Sequence, residues 1–462
     1  MRAIGAGAGE TGTALWDGAP SRPGPSYEQP GRTGGVAITT AHPEGSTRFR
    51  LRPPARLLPA LRPGQAGRPG WTAALRDALA RPLTTYYLLL GSVALLLTIG
   101  LLMVLSASSV EAYRQTGDSY ATVKRQLMWV AVGVPAAWVA SRVPLRWVRR
   151  LAYVAFSASL VLLGLTAVIG ITVNGNQNWL AIGPLQIQPS EVAKLSVVVW
   201  AAHIYANKER RLGRSLHEMV VPVVPGLALA TVLVVVGRDL GTALVFFAIA
   251  VGMLWVVGVP LRVFAIVICG LGATALALAA TESERLARIT TFVDPFKDYH
   301  GTGWQPAHGL YAMSSGGIFG EGIGASQQKW GALPEAHTDF IFAVLGEELG
   351  LVGTLLVVGL FLTIAYAALR IARETKEPFV RYCTFGIVIW LLGQMIINVG
   401  MVLALLPVIG IPLPLVSYGG SSLLPTLVAL GLVVGFARRE PAAARALAQR
   451  RRARSTGLSA HR

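Results

Sequence analysis

From Tyr86 onward the chain alternates between apolar stretches and short polar or basic breaks. About ten stretches can be marked, at 86–105, 126–143, 151–171, 189–206, 219–236, 241–259, 263–281, 340–369, 382–406 and 421–437. Roughly 20 residues of helix cross a hydrocarbon core, and the two longest stretches predict tilted or kinked spans. The pattern predicts an all-α polytopic membrane protein with about ten transmembrane helices. Between the seventh and eighth stretches the alternation stops, so 282–339 is expected to be one large extramembrane loop. That loop is too rich in Trp, Phe and Tyr to be disordered, and ordered loops of such length are usually functional.

Composition agrees with a membrane chain: 53% of residues are hydrophobic and 14% charged. Residues 1–82 differ, being rich in Gly, Pro and Arg, and are expected to form a disordered arm. No hydrophobic core region follows Met1, so no signal peptide is expected and the first span serves as the insertion signal. The net charge of +18 is concentrated in the arm, in RVPLRWVRR, in KERRLGR, in 370–381 and in the tail 440–462. With a cytoplasmic N-terminus all these clusters fall on one side, as the positive-inside rule requires. Both termini are therefore expected in the cytoplasm and the large loop outside. The basic charge is topological, with anionic headgroups as a secondary partner, and no nucleic acid is expected. Cys269 and Cys383 lie in predicted spans, and no zinc-type Cys/His spacing occurs.

Several polar groups then fall on the outer side. Lys124 and Arg125 sit at the mouth of the second span. Glu191 and Lys194 open the fourth, three residues apart on one helix face. Arg238 and Asp239 stand at the outer end of the sixth. Each has a plain reading, as interfacial snorkelling, an ion pair between helices, or a helix N-cap. Taken together they suit an anionic headgroup, such as a lipid pyrophosphate. Pro407, Pro412, Pro414, Gly419 and Gly420 break 406–422. That segment is expected to be re-entrant or an ordinary outer loop, since a continuous helix is excluded. The glycines of 316–324 lack the Lys-Ser/Thr of a phosphate loop and predict tight packing of the loop. Glu347 and Glu348 lie inside the eighth span, where they must cap a kink or line a polar cavity. Gln394 and Asn398 read as glue between helices.

Three long runs now stand out: VDPFKDYHGTGWQ, SSGGIFGEGIG and LPEAHTDFIFAVLGEELGLVG. With VNGNQNWLAIGPLQIQPSEVAK, DLGTA and PLPLVSYGGSSLL in the same order, the chain from Tyr86 to about Arg439 strongly resembles the SEDS family of bacterial peptidoglycan polymerases, the FtsW/RodA/SpoVE proteins. The LPEAHTDFIF wording and the basic tail resemble the division branch more than the elongation branch. The resemblance implies a ten-span domain over 83–439 in the cytoplasmic membrane, acting at the division septum. It would polymerise lipid II on the outer face, beside a class B penicillin-binding protein transpeptidase and other division proteins. The family's essential loop acid falls on Asp298, and its polar positions fall on Arg125, Glu191 and Lys194. Asp239, Gln305 and Ser417 join them as substrate-binding candidates, while Asp294, Glu335, His337 and Asp339 are candidates for organising the loop. Two positions depart from the pattern. Tyr299 stands where members usually carry Pro, and Asn178 where Arg is usual, which removes the side chain expected at one substrate contact.

Glycan polymerisation is displacement at an anomeric carbon bearing a lipid pyrophosphate. A carboxylate such as Asp298 can take the proton of the attacking sugar hydroxyl. The leaving group needs positive charge, from Arg125 and Lys194 or from a divalent cation; no other cofactor is expected. Asp294, before Pro295, reads as a turn residue, and His337 as structural. The alternatives are a lipid II transporter, whose broken helices and intramembrane acids would look similar, a non-catalytic division scaffold, and a polymerase of the elongation type.

Overall fold

The structure is a computed structural model that describes residues 81–449, apart from Pro82, Asn174, Pro184, 213–214 and 280–291. Nearly all of the expected arm, the tail beyond 449 and the start of the large loop lie outside the described residues. The described helices include α1 Thr84–Thr116, α2 Ala121–Ala140, α3 Leu145–Ile169, α4 Pro189–Leu212, α5 Leu216–Val220, α6 Val224–Val236, α7 Leu240–Val257, α8 Leu261–Ala279, α9 Trp304–Ser315, α10 Ile341–Glu374, α11 Pro378–Val402 and α12 Gly420–Arg439, and 441–449 is helical as well.

Among the described residues, seven segments are long and apolar enough to cross a membrane: α1, α3, α5 with α6, α7, α10, α11 and α12. Helices α2, α4 and α8 occupy the other three expected positions. In α2 and α4 the charges Lys124, Arg125, Glu191 and Lys194 lower the hydropathy. The fifth span is broken between α5 and α6, where Pro222 and Pro225 interrupt the helix. The chain is a multi-pass, helical membrane protein.

One element lies outside the helical expectation. β1 Ile171–Val173, β2 Asn176–Ile182 and β3 Leu185–Ile187 form a three-stranded antiparallel meander in the order β1-β2-β3. Its pairings include Ile171↔Trp179 and Leu180↔Ile187. The turns fall at Gly175 and Gly183, both with positive φ.

The core is built from α4, α10, α11 and α12, with α1 packed on α10, α2 on α12, α3 on α4 and α7 on α11. A side chain at Gly431 or Gly435 would run into the backbone of Ala137 and Ser141. Small residues there let α2 and α12 approach closely, as is common within membranes. Burial separates the layers. The apolar window of α12 is 83% buried and that of α3 only 28%, so α3 is left as a lipid-facing wall.

Candidate active site

Asp298 ends a 3-10 turn, Pro295–Asp298, and is exposed. Its Oδ2 accepts hydrogen bonds from the Thr302 amide (2.8 Å) and the Thr302 hydroxyl (2.9 Å). Its own carbonyl accepts from the amides of Gly301 and Gly303. The chain turns back so tightly that a side chain at Gly301 would strike the carboxylate, which explains the glycine in the HGTG run. Beside this turn lies a cleft of about 380 Å³, lined by Phe292, Gly301, Thr302, Trp304, Gln305, Pro306, Pro334 and Val408. Gln305 sits in its wall and donates to the Pro334 carbonyl (3.3 Å). Asp294 precedes the turn, but its side chain makes no capping hydrogen bond. Only its carbonyl serves, accepting from the Lys297 amide.

Behind the cleft, the 403–419 segment is non-helical, and 413–417 is fully buried. Buried irregular backbone is tolerated only when its polar groups are paired, and here side chains supply the partners. Asn398 donates to the carbonyls of Asp339 (2.8 Å) and Ile411 (2.7 Å). Gln394 donates to the Pro412 carbonyl (3.0 Å). Ser417 accepts from the Leu413 amide (2.8 Å) and donates to the Thr338 carbonyl (2.6 Å). Gln126, on α2, donates to the Ser417 carbonyl (3.3 Å). Ser417 thus stitches this segment to the end of the large loop.

The charged candidates separate by depth. Lys194 is 1% exposed and bonds Glu191 within α4 (2.8 Å) and Gln394 of α11 (3.1 Å). Its ammonium also lies 5.5 Å from the Trp390 ring. The ion pair is therefore within one helix and not between helices, and the ammonium is turned into the core. Asp239 is the N-cap of α7, accepting from the Thr242 amide (2.8 Å) and hydroxyl (2.9 Å). It also accepts from Asn178 (2.8 Å) and Gln188 (3.1 Å). Asn178, at the position expected to hold Arg, thus ties the sheet to α7. Arg125 is exposed on α2, and no described side chain bonds it. Its neighbour Lys124 pairs with Asp118 (2.7 Å).

At the loop's end, Glu335 adopts φ 53 and accepts from the Thr338 hydroxyl (2.5 Å). The His337 carbonyl accepts from the Tyr418 amide (3.0 Å), and burial holds its imidazole below the usual range. Asp339 keeps some exposed surface but is closely surrounded by protein. That enclosure, with Glu335 and Asp239 nearby, raises its carboxyl to about 7. A raised folded pKa means that the fold holds this proton more tightly than the unfolded chain does. Stability from this group is then full below the ordinary value of 3.8 and is lost as pH climbs towards 7. Asp339→Asn should therefore flatten the pH profile of thermal stability over that window and gain on the parent above it. A mutant profile parallel to the parent's would remove Asp339 as its cause.

Two further groups organise the loop, of which only the first went unassigned from sequence. Tyr299, His308 and Gln328 are hydrogen-bonded in series, inside a cluster with Phe296, Trp304 and Tyr311. The helical spacing of Trp304, His308 and Tyr311 was the available signal. The second group surrounds the break in α10, where Gly350 leaves helical geometry at φ 66 and ψ −163. Backbone bonds clasp the 317–322 strap to this break, including Glu321 N to Glu347 O (2.9 Å) and Leu351 N to Gly317 O (3.0 Å). Glu347 accepts from the Ser326 hydroxyl (2.5 Å) and the Gln327 amide (2.8 Å). Glu348 accepts from Lys329 (2.9 Å) and from Ser106 of α1 (2.6 Å). The two glutamates thus sit at a kink and anchor the large loop to the membrane domain.

The FTSW_RODA_SPOVE family model, described as cell cycle protein, matches residues 86–441. The chain belongs to the FtsW/RodA/SpoVE family. The probable peptidoglycan glycosyltransferase FtsW of Mycobacterium tuberculosis is 41% identical over 372 residues, 80% of this chain and 71% of that protein. Stage V sporulation protein E of Bacillus subtilis is 37% identical over 348 residues, 74% of this chain and 94% of that protein. Among solved structures, a chain from work on "structural coordination of polymerization and crosslinking by a peptidoglycan synthase complex" superposes with a TM-score of 0.61. It is 29% identical, covering 76% of this chain and 97% of that one. The RodA protein of Thermus thermophilus gives 0.57 at 28% identity, covering 77% and 97%. Within the FtsW/RodA/SpoVE match fall the Asp298 turn, the 403–419 segment and the anchored α10 break.

Proposed function

We propose that this protein is a peptidoglycan glycosyltransferase of the FtsW type, polymerising lipid II at the outer face of the cytoplasmic membrane during septal wall synthesis. The observation that carries the reading is the placement of Asp298. It is an exposed carboxylate beside a cleft of about 380 Å³, on a loop anchored to the membrane domain through Glu347 and Glu348. A reacting carboxylate at the membrane surface suits a substrate whose sugar is polar and whose tail stays in lipid.

In the reaction, Asp298 takes the proton of the acceptor hydroxyl as its oxygen bonds to the anomeric carbon. The bond from that carbon to the pyrophosphate oxygen breaks, and the lipid pyrophosphate leaves with the electron pair. Thr302 holds the carboxylate through two donors and leaves the second oxygen for the acceptor. Arg125 is exposed and available to a pyrophosphate, whereas Lys194 supports the segment behind the cleft. Among the described residues no group of three or more His, Cys, Asp and Glu side chains could hold a metal ion. A transporter reading has less support, because Glu191, Lys194 and Gln394 bond to one another and to the 412 backbone instead of facing an open path. A class B penicillin-binding protein transpeptidase is the partner we propose, in keeping with a similar chain that belongs to a peptidoglycan synthase complex coordinating polymerization and crosslinking.

The test is reconstitution of the purified chain into vesicles of known orientation with lipid II. Glycan strands should form, and a cysteine replacing the exposed His300 should react with an impermeant thiol reagent from the face opposite the termini. Absence of glycan with and without the transpeptidase would reject the enzyme. Labelling from the face of the termini would reject the topology.

A further inference from the structure

We propose that Tyr299, His308 and Gln328 form a relay that positions Asp298 by tying its turn to the membrane-embedded Glu347. The inference rests on the reading of Asp298 as the general base. Each link is a hydrogen bond between side chains or to a backbone amide. Glu347, 1% exposed, accepts from the amides of Gln327 (2.8 Å) and Gln328 (3.4 Å), so the 3-10 turn Gln328–Trp330 is held at a set height above α10. From that turn the Gln328 Oε1 bonds His308 Nδ1 (2.7 Å). An amide oxygen only accepts, so Nδ1 carries the proton and Nε2 is left as an acceptor. Nε2 then receives the Tyr299 hydroxyl at 3.0 Å.

Tyr299 directly follows Asp298 and is the C-cap of its 3-10 turn. Fixing the phenol therefore fixes the roll of the turn, and with it the direction of the carboxylate. His308 is 7% exposed, and both its ring nitrogens are engaged. Its ring packs 4.2 Å from that of Trp304, a residue of the cleft wall. Thr302 orients the carboxylate locally, but nothing in that short turn sets its height over the membrane. The relay does so from outside the turn.

A base displaced by about an ångström can lose up to a hundredfold in rate, and a hydroxyl deletion should give roughly a tenfold loss. Lipid II polymerisation by the full-length chain in vesicles is to be measured for Tyr299→Phe, Gln328→Leu, the double variant, Gln328→Glu and Asp298→Asn. Expected are a roughly tenfold fall in kcat for each single variant, KM within about twofold of the parent, and no further loss in the double variant, since both break one series. Gln328→Glu, which still accepts from His308, should keep most of the rate. Thermal unfolding should be close to the parent's for all. Full rates in Tyr299→Phe and Gln328→Leu with Asp298→Asn inactive would overturn the relay alone. Additive losses, or a rise in KM at constant kcat, would also overturn it. An active Asp298→Asn would instead overturn the assignment of the base.

Discussion

Asp298→Asn should abolish glycan polymerisation, by roughly a hundredfold or more, while leaving insertion and lipid II binding intact. Asparagine keeps an oxygen to accept from the Thr302 amide and hydroxyl, so the turn should survive. What disappears is the capacity to take the proton of the acceptor hydroxyl. Asp294→Asn is the matched control, because the Asp294 side chain makes no capping bond and Asn suits a turn. Glycan length and a fluorescent lipid II translocation assay should be read on both variants. Long strands from Asp298→Asn would overturn the mechanism, and loss of translocation alongside polymerisation would favour a transporter.

The second large effect is on stability. Lys329→Met should cost about 3–5 kcal/mol, because it strands a buried carboxylate. Glu348 is 0% exposed, and Lys329 supplies the positive charge at 2.9 Å. The same ammonium also bonds Ser106 (2.9 Å) and the Gly324 carbonyl (2.7 Å), so its loss frees the loop from α1 as well. Adding Glu348→Gln to Lys329→Met removes the stranded charge and should recover much of the loss. Thermal unfolding in one detergent, for the parent, both single variants and the pair, measures this. A Lys329→Met protein as stable as the parent would show that the pair contributes no net stability. A pair no more stable than Lys329→Met would show that packing, not charge, was lost.

Residues differ in how far their roles could be read before the fold. Asp298 was singled out by the family resemblance, whose essential loop acid falls on it; the loop alone offered several carboxylates. Glu347 and Glu348 announced a kink or a polar pocket, since charge inside an apolar span must be compensated. Lys194 was a candidate for the substrate's charge, yet the structure turns it inward. Spacing put Glu191 on its helix face, but could not say that Gln394 of α11 would approach from the other side. Ser417 was named for the substrate, whereas its hydroxyl is occupied by the Leu413 amide and the Thr338 carbonyl. The relay through His308 stayed hidden because its members, at 299, 308 and 328, meet only once α9 packs on the α10 break.

The sequence by itself determined the helical, multi-pass class, the order of the apolar helices and the family. Hydrophobic length against bilayer thickness and the sidedness of basic charge are local quantities, summed along the chain. Only the tertiary structure decided which polar groups are free and which are used. Hydrogen bonds between residues such as Ser106 and Glu348, or Gln126 and the Ser417 carbonyl, join positions hundreds of residues apart. No local pattern specifies them. They follow from the cost of leaving buried polar groups unpaired near the membrane core, a cost lowered by whichever side chains the packed helices bring together.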